Sequence, residues 1–164
     1  MSEKPKVLII SPKASDALVG CFYFLTGRMM VLGVSVRSSD KYIVFDDEDV
    51  TPDGQREAIE FAKAFNLNVL DRGRAYELEH DIVLAPSPES KYYKHKYWAW
   101  LSVGLEAYAR VFYSIDMEEW WVRLLPFDLR AEKKRLLNTF FPSQALLWER
   151  NEKYYAFEGY VMLL

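Results

Sequence analysis

The turn at residues 11–16 follows the first predicted strand and offers three reactive side-chain groups. Lys13 supplies an amine, Ser15 a hydroxyl and Asp16 a carboxylate. A serine or an aspartate at the start of a helix commonly caps its unpaired N–H groups, so a structural role alone explains these residue types. The turn has no glycine, and therefore neither a G-x-G-x-x-G motif nor a Gly-rich phosphate loop. Dinucleotide and P-loop nucleotide sites are thus disfavoured.

A second polar segment, residues 87–95, follows a later predicted strand and opens a helix. It ends with Lys94 and His95, the latter being one of two histidines in the chain. The other, His80, precedes that strand and so falls on the opposite rim of the sheet. A histidine titrates near neutral pH, which suits metal binding and proton transfer. Structural histidines are also common, so both roles remain open for His95.

Alternating strand and helix patterns must position these two segments. The predicted strands are 7–10, 29–36, 42–45, 68–70, 81–85 and 111–115, with an extended stretch at 120–125, and the predicted helices are 16–26, 51–65, 93–110 and 129–141. This order predicts an α/β fold, a three-layer Rossmann-like arrangement with a mainly parallel sheet and helices on both faces. Ligands of such folds bind beyond the carboxyl ends of the strands, where both polar segments lie.

Composition narrows the class of protein. The 164 residues and the 51% apolar content suit a single domain, 1–164, with a sizeable core. No apolar run approaches the roughly 20 residues of a membrane span, and the polar start does not resemble a signal peptide. With one cysteine and a net charge of −3, we expect a cytoplasmic protein and disfavour nucleic acid as a partner. The scarcity of Gln and Asn beside many charged residues indicates a thermophilic source.

Five pieces of sequence form a series that covers about residues 6–148. They are the strand and turn at 7–21, the helix at 55–58 with 65–67 after it, the strand at 81–88, the segment 92–95, and the helix at 134–141 with Ser143 and Gln144 after it. In this order they resemble the LmbE/PIG-L family of zinc-dependent de-N-acetylases, whose motifs include P-H-P-D-D-E and H-x-D-H. Phe22 and Tyr23 stand where that family tends to have glycines, and we expect their rings to fill space left for substrate.

The residues at the two motifs depart from the family. By the resemblance, Lys13 replaces a zinc-binding histidine and Ser15 replaces the general base. Asp16 and His95 keep zinc ligands, whereas Lys94 replaces the aspartate of H-x-D-H. Catalytic zinc needs three protein ligands, an ammonium beside a dication is repulsive, and a serine hydroxyl holds its proton too tightly to be a base near neutral pH. We therefore expect Lys13 to be the counter-ion of Asp16 in place of a metal.

Two functions follow from these departures. The first is a LmbE/PIG-L-like protein that has lost zinc-dependent de-N-acetylase activity, needs no cofactor and serves as a binding or structural subunit. The alternative is an active hydrolase that removes an acetyl group from an N-acetylated sugar conjugate, with zinc held by Asp16, His95 and a third group. Cys21 is not predicted to be that group, because a cysteine in an apolar helix is usually buried. The candidate binding residues are Lys13, Asp16, Lys94 and His95.

Aromatic residues, which make up 16% of the chain, indicate what the protein contacts. In the helix at 93–110, the i, i+4 spacing of Tyr93 and Tyr97 predicts burial against the sheet rather than stacking on nucleic-acid bases. Trp120 and Trp121 point to opposite faces of a strand, which leaves one of them for an oligomer interface. The expected partners are another copy of the chain or an active family relative, and a sugar-type small molecule; no membrane is expected.

Overall fold

A six-stranded sheet organises the chain. The computed structural model describes residues 4–45, 51–91 and 93–163, with the backbone alone at 93–96, 100 and 163. The strands are β1 (Lys6–Ser11), β2 (Asp40–Phe45), β3 (Leu67–Val69), β4 (Ile82–Pro86), β5 (Ala109–Tyr113), β6 (Arg123–Leu124), β7 (Phe157–Glu158) and β8 (Tyr160–Leu163). The sheet order is β3-β2-β1-β4-β5-β8, and only β8 runs antiparallel to its neighbour. The mainly parallel sheet is therefore confirmed.

Helices cover both faces of this sheet. They are α1 (Ala14–Gly20), α2 (Phe22–Leu25), α3 (Pro52–Ala64), α4 (Arg72–Glu77), α5 (Tyr93–Val103), α6 (Phe127–Phe140), α7 (Ala145–Arg150) and α8 (Lys153–Ala156), with a 3-10 turn at Pro142–Gln144. Alternate residues of the apolar run 7–10 in β1 point to opposite faces. Val7 and Ile9 join the larger core with α1, α2, α3 and α6, whereas Leu8 and Ile10 join the smaller core with α4 and α5. The three-layer Rossmann-like architecture is confirmed.

The start of α3 matches its sequence signals. The hydroxyl of Thr51 accepts a hydrogen bond from the N–H of Gly54 at 3.1 Å, and Pro52 occupies the first helical position. Proline fits there because its missing N–H would have no partner in the first turn. Phe61 and Ala62 then lie buried against the larger core. This helix could therefore be predicted from local chemistry alone.

The predicted strand at 29–36 is wrong. The main-chain groups of Val31 and Val34 bond to each other at 3.0 and 2.8 Å across a tight turn. Leu32 and Gly33, at the centre of that turn, have positive φ angles of 49° and 76°. Such angles interrupt an extended chain, and glycine adopts them without strain. The segment is therefore a turn, and the second strand of the sheet is β2.

The single helix predicted at 16–26 is divided in two at Cys21. The main-chain N–H groups of Phe22 and Tyr23 donate to the carboxylate of Glu158, at 3.2 and 2.8 Å, instead of to the carbonyls one turn earlier. Glu158 is remote in sequence. Its carboxylate accepts the two N–H groups that would donate to main-chain carbonyls if the helix continued. The apolar pattern of the segment carries no sign of this interruption.

The strand β8 was not predicted from the sequence. It pairs antiparallel with β5, with Val111 opposite Met162 and Tyr113 opposite Tyr160. Its four residues are too few for a clear alternating pattern. Its place at the edge of the sheet is set by pairing with a strand some fifty residues earlier.

Membrane-spanning segments were also sought in the helices. Within the described ranges, no helix is long and apolar enough to cross a bilayer. The longest of these helices, α6, has 14 residues, fewer than the roughly 20 that a span requires.

A buried ion pair ties α6 to the β7–β8 corner. The ammonium of Lys133 lies 3.1 Å from a carboxylate oxygen of Glu158, and both side chains are fully buried. The same ammonium donates to the carbonyl of Phe157 at 2.9 Å. Glu158 also accepts the hydroxyl of Tyr160 and two N–H groups at the start of α2. These bonds join four elements and stabilise their arrangement.

Candidate functional site

The carboxyl ends of three neighbouring strands form the edge that carries the candidate site. In the sheet order, β1 lies beside β4, and β4 lies beside β5. Pro86 at the end of β4 is opposite Tyr113 at the end of β5, and β1 ends at Ser11 on the same side. The turns that follow these strands, 11–16, 87–91 and 114–119, therefore border one another. This is the place where ligands bind in folds of this type.

Lys13 and Asp16 meet in the first turn, but not as the expected ion pair. The main-chain N–H of Lys13 donates to a carboxylate oxygen of Asp16 at 3.0 Å, and the N–H of Asp16 donates to the Lys13 carbonyl at 3.0 Å. Asp16 is buried, whereas the Lys13 residue is exposed. Lys13 has an extended backbone immediately before α1, which places its N–H within reach of the third residue of the helix. The contact is thus a helix cap through the main chain.

Ser15 connects α1 to a remote polar corner. Its hydroxyl donates to the side-chain carbonyl of Gln144 at 2.7 Å. The neighbouring Ser143 donates its N–H and its hydroxyl to the carboxylate of Glu57, at 2.8 and 2.5 Å. Three pieces of the series that resembles the LmbE/PIG-L family, from α1, α3 and the turn after α6, therefore meet in space. Their separation in sequence is 86 and 129 residues.

The ring of Tyr113 fills the space beside the first turn. Its hydroxyl donates to the carbonyl of Ile10, and its ring lies so close to Gly20 that a Cβ at that position would overlap it. Burial raises the pKa of Tyr113 well above its usual value, and the nearby Cys21 and Asp16 add to this effect. The phenol therefore stays protonated and supports the main chain of β1 from within the core.

The second segment is held to the end of β5 by Asp116. This residue is only 2% exposed, and one of its carboxylate oxygens accepts the hydroxyl of Ser90 at 2.6 Å and the N–H of Lys91 at 3.0 Å. The N–H of Ser87 donates to the carbonyl of Tyr113 at 2.9 Å. These bonds fix the course of the chain from β4 toward α5.

Lys94 and His95 lie in the first turn of α5, which begins at Tyr93. Their backbone is thereby placed at the same edge of the sheet as the turn that holds Asp16. Their side chains lie outside the described part of the chain, as does residue 92. Their roles as binding residues and, for His95, as a metal ligand therefore stay predictions.

A cleft of about 340 Å³ opens between the turns that follow β4 and β5. Its lining residues are Glu89, Lys91, Asp116, Glu118, Glu119 and Trp120. Lys91 pairs with Glu118 at 2.7 Å, and Lys153 approaches the same carboxylate at 3.6 Å. The hydrogen bond from Lys91, with the charges of both lysines, holds the pKa of Glu118 below its usual value. Carboxylates thus outnumber ammonium groups in this cleft.

Sequence reasoning missed the carboxylates of this cleft. Three of them lie in the run 116–119, just after the predicted strand at 111–115. Because β5 is parallel to β4 and adjacent to it, that run must fall at the same edge as residues 87–91. The position of this acidic run directly after a predicted strand could have identified these carboxylates, although they belong to no known motif.

The described ranges contain no group of three His, Cys, Asp or Glu side chains that could hold a metal ion. Cys21 is fully buried, and burial raises the pKa of its thiol, as expected for a core cysteine. The ring of Phe22 is also fully buried, with the cations of Arg28 and Lys133 at 5.5 and 5.9 Å from its centre. Phe22 is therefore part of the larger core, and the filling of space left for substrate by Phe22 and Tyr23 stays a prediction.

The buried face of α5 also differs from the prediction. Tyr97 is 43% exposed, whereas Trp98 and Ala99 are 3% and 1% exposed. The guanidinium of Arg72 lies over the Trp98 ring at 4.8 Å. The i, i+4 rule identified residues that share a face, but nearly every face of this helix carries an aromatic residue, so the pattern could not select the one that packs on the sheet.

Solved structures share this fold over nearly the whole chain. GalB, the 4-carboxy-2-hydroxymuconate hydratase from Pseudomonas putida KT2440, superposes with a TM-score of 0.64 at 13% identity, covering 98% of this chain and 96% of GalB. The conserved protein TT1542 from Thermus thermophilus gives a TM-score of 0.60 at 12% identity, covering 94% and 93% of the two chains. The A40926 pseudoaglycone deacetylase Dbv21 gives 0.59 at 10% identity, covering 98% of each chain.

These likenesses define the class of fold. The three structures have LmbE/PIG-L-like folds, so the architecture that the sequence resemblance implied is confirmed. No family model matches the sequence, and no curated protein matches it either. One of the superposed proteins is a hydratase and another a deacetylase, so the fold by itself does not select a reaction.

Proposed function

We propose that this protein keeps a LmbE/PIG-L-like fold without its zinc chemistry and serves as a non-catalytic binding or structural subunit. One observation carries the proposal. Ser15, at the position that the resemblance assigns to the general base, donates its hydroxyl to Gln144 at 2.7 Å. That bond joins α1 to the turn after α6, so the contact of this side chain is one that holds the fold together.

The residues at this edge do not fit a catalytic zinc ion. Such an ion needs three protein ligands and one open position. By the resemblance, two ligands remain in Asp16 and His95, and Lys13 replaces the third. An ammonium repels a dication at short range instead of donating to it. Asp16 already accepts the N–H of Lys13 at 3.0 Å, which engages one oxygen of the remaining carboxylate.

Metal content and activity of the purified protein test this proposal together. We expect zinc well below one equivalent after dialysis, and no acetate release from N-acetylglucosamine conjugates above a buffer control. Tight stoichiometric zinc combined with acetate release would overturn the proposal. The Asp16→Asn and His95→Gln variants are the controls, since both must lose any zinc that the predicted ligands hold.

A gain-of-binding experiment sharpens the same test. We expect the Lys13→His and Ser15→Asp double variant to bind zinc more tightly by more than about 100-fold, because even the outer partners of zinc ligands change affinity by about 10–100-fold. The matched control is the Lys13→Ala and Ser15→Ala double variant, which removes the ammonium without adding a ligand. If both double variants fold and bind zinc equally, the assignment of residues 11–16 to the family motif is wrong.

The second candidate is an active, metal-dependent de-N-acetylase of sugar conjugates. The observation that favours it is the pairing of β1 with β4, because it brings the turn that holds Asp16 to the same edge as the first turn of α5, which holds His95. A third ligand is required, and the metal measurement above decides between the two candidates. A sugar-type small molecule is the proposed ligand in either case, and saturable binding of N-acetylglucosamine in a calorimeter is its direct test.

A further inference from the structure

His80 is buried where α4 meets the start of β4, and its two ring nitrogens have different surroundings. The residue is only 4% exposed, and its Nε2 lies 2.9 Å from the carbonyl of Ala75. Because a carbonyl oxygen only accepts hydrogen bonds, Nε2 carries the ring proton and Nδ1 has the free lone pair. Nδ1 is buried as well, and no group in the described part of the chain donates to it.

The surroundings of this ring favour its neutral form. Burial lowers the pKa of His80, because the charged ring would lose its hydration, although the bond to the Ala75 carbonyl opposes this effect. The ammonium of Lys6 in β1 lowers the pKa further, whereas the carboxylate of Asp81 raises it. That carboxylate already accepts the main-chain N–H of Lys6 at 2.7 Å. The ring of Tyr42 in β2 lies edge-on, with its centre 6.1 Å from that of the imidazole.

The helix α4, to which His80 bonds, has few other anchors. Within this helix, all of which the structure describes, Ala75 is the only buried residue. The charged side chains of α4 belong to exposed residues, which are Arg72, Arg74 and Glu77. A short helix with so little buried surface opens at a lower free-energy cost than the core strands do. The hydrogen bond from His80 to Ala75 therefore contributes directly to holding α4 on the sheet.

We propose that His80 is an acid-sensitive switch, which keeps α4 on the sheet while its ring is neutral and releases the helix when the ring binds a proton. When α4 opens, water reaches Nδ1, and a proton from the solvent joins the lone pair to give an imidazolium. Closing α4 again would bury that positive charge, which is unfavourable. The open form is therefore favoured as the pH falls.

The helix α5 connects this switch to the candidate site. The guanidinium of Arg72 in α4 covers the ring of Trp98 in α5 at 4.8 Å, and Trp98 is only 3% exposed. Opening of α4 removes this cover from a helix whose first turn carries Lys94 and His95. The support of that turn therefore depends on pH. The inference does not rest on the proposed function, since His80 is neither a predicted ligand nor a predicted base.

The direction of the pH dependence follows from the pKa of His80 in the two forms. This pKa is lowered in the closed form, whereas a histidine in water titrates near about pH 6.5. The closed form is therefore fully favoured above about pH 6.5 and loses stability as the pH falls below that value. With no proton taken up by the closed form, the equilibrium constant for opening rises about thirtyfold between about pH 7.5 and about pH 5, which is the upper limit.

Hydrogen exchange of the intact chain, followed by mass spectrometry across this pH range, tests the proposal. After correction for the intrinsic pH dependence of exchange, we expect the opening constant of the α4 amides to rise between about threefold and about thirtyfold from about pH 7.5 to about pH 5. The amides of β1 are the internal reference. The His80→Gln variant keeps a donor for Ala75 but binds no proton, so we expect the rise to disappear. The matched control is His95→Gln, which removes the other histidine of the chain and is expected to keep the rise.

Three results of this experiment overturn the proposal. They are a rise of less than about threefold in the wild-type chain, the same rise in His80→Gln, and the loss of the rise in His95→Gln. Circular dichroism confirms that each variant is folded. Nuclear magnetic resonance of the imidazole nitrogens gives a second test that needs no variant. We expect His80 to carry its proton on Nε2 near neutral pH and to titrate below about pH 6.5, and the other tautomer or a higher midpoint also overturns the proposal.

Discussion

The ion pair of Lys133 and Glu158 and the turn at 11–16 use charged residues in opposite ways. In the first region both side chains are fully buried and paired at 3.1 Å, and further bonds satisfy the carboxylate. In the second, the Lys13 residue is exposed and the Asp16 carboxylate caps the start of a helix. The charged residues of the first region hold the fold together through their side chains, whereas Lys13 bonds to Asp16 through its main chain. A chain with this division can change its site chemistry without losing its architecture.

The electrostatics of the buried pair add to this difference between the two regions. Burial raises the pKa of Glu158 and lowers the pKa of Lys133, because both charged forms lose their hydration, and the attraction between the two charges opposes both shifts. Removing one partner therefore leaves the other without its main compensation. Such a penalty does not arise for an ammonium in solvent, as at Lys13.

The largest expected effect is on Lys133. We expect Lys133→Met to lower the free energy of unfolding by about 3–5 kcal/mol, because it leaves the Glu158 carboxylate buried without a counter-charge. Urea denaturation followed by circular dichroism measures this. The control is Arg135→Met on the exposed side of the same helix, expected within about 0.5 kcal/mol of wild type. Equal stabilities for the two variants would contradict the structural role of the pair.

An intermediate effect is expected at Ser15. The Ser15→Ala variant loses the hydrogen bond to Gln144, and we expect a decrease of about 1 kcal/mol in the free energy of unfolding, the usual net value of one such bond. The Gln144→Ala variant removes the same bond from the other side, so the two changes should not be additive. Full additivity in the double variant would show that the two side chains act independently.

The smallest expected effect is at Lys13. Because its contact with Asp16 is made by the main chain, Lys13→Ala keeps that bond and should change the free energy of unfolding by less than about 0.5 kcal/mol. A loss of more than about 1 kcal/mol, the net value of a typical hydrogen bond, would mean that the ammonium stabilises the fold after all. The comparison between the two regions would then no longer hold.

Elements with strong local signals were predictable from the sequence. The centre of β1, residues 7–10, is an unbroken apolar run, and Thr51 caps α3, which begins at Pro52. The pattern at 29–36 predicts a strand because many of its apolar residues are β-branched. The positive φ angles at Leu32 and Gly33 make it a turn instead. The split at Cys21 could not be predicted, because the carboxylate that causes it, that of Glu158, lies 136 residues from Phe22.

In the candidate site too, local features could be predicted from the sequence and long-range contacts could not. Lys13, Ser15 and Asp16 could be placed at the end of a strand because a turn after a buried strand is a local pattern. The hydrogen bonds of Ser15 to Gln144 and of Ser90 to Asp116 could not be predicted, because they depend on which segments the sheet brings together.

The sequence by itself determined the alternation of strands and helices, the α/β class and the edge of the sheet where the reactive side chains lie. These follow from periodicity and from helix-capping chemistry, which act over a few residues. The tertiary structure decided the order of the strands, the burial of Phe22, the exposure of Trp120 and the main-chain contact between Lys13 and Asp16. Those depend on which remote groups compete for the same hydrogen bonds and the same space, and only the packed chain brings such groups together.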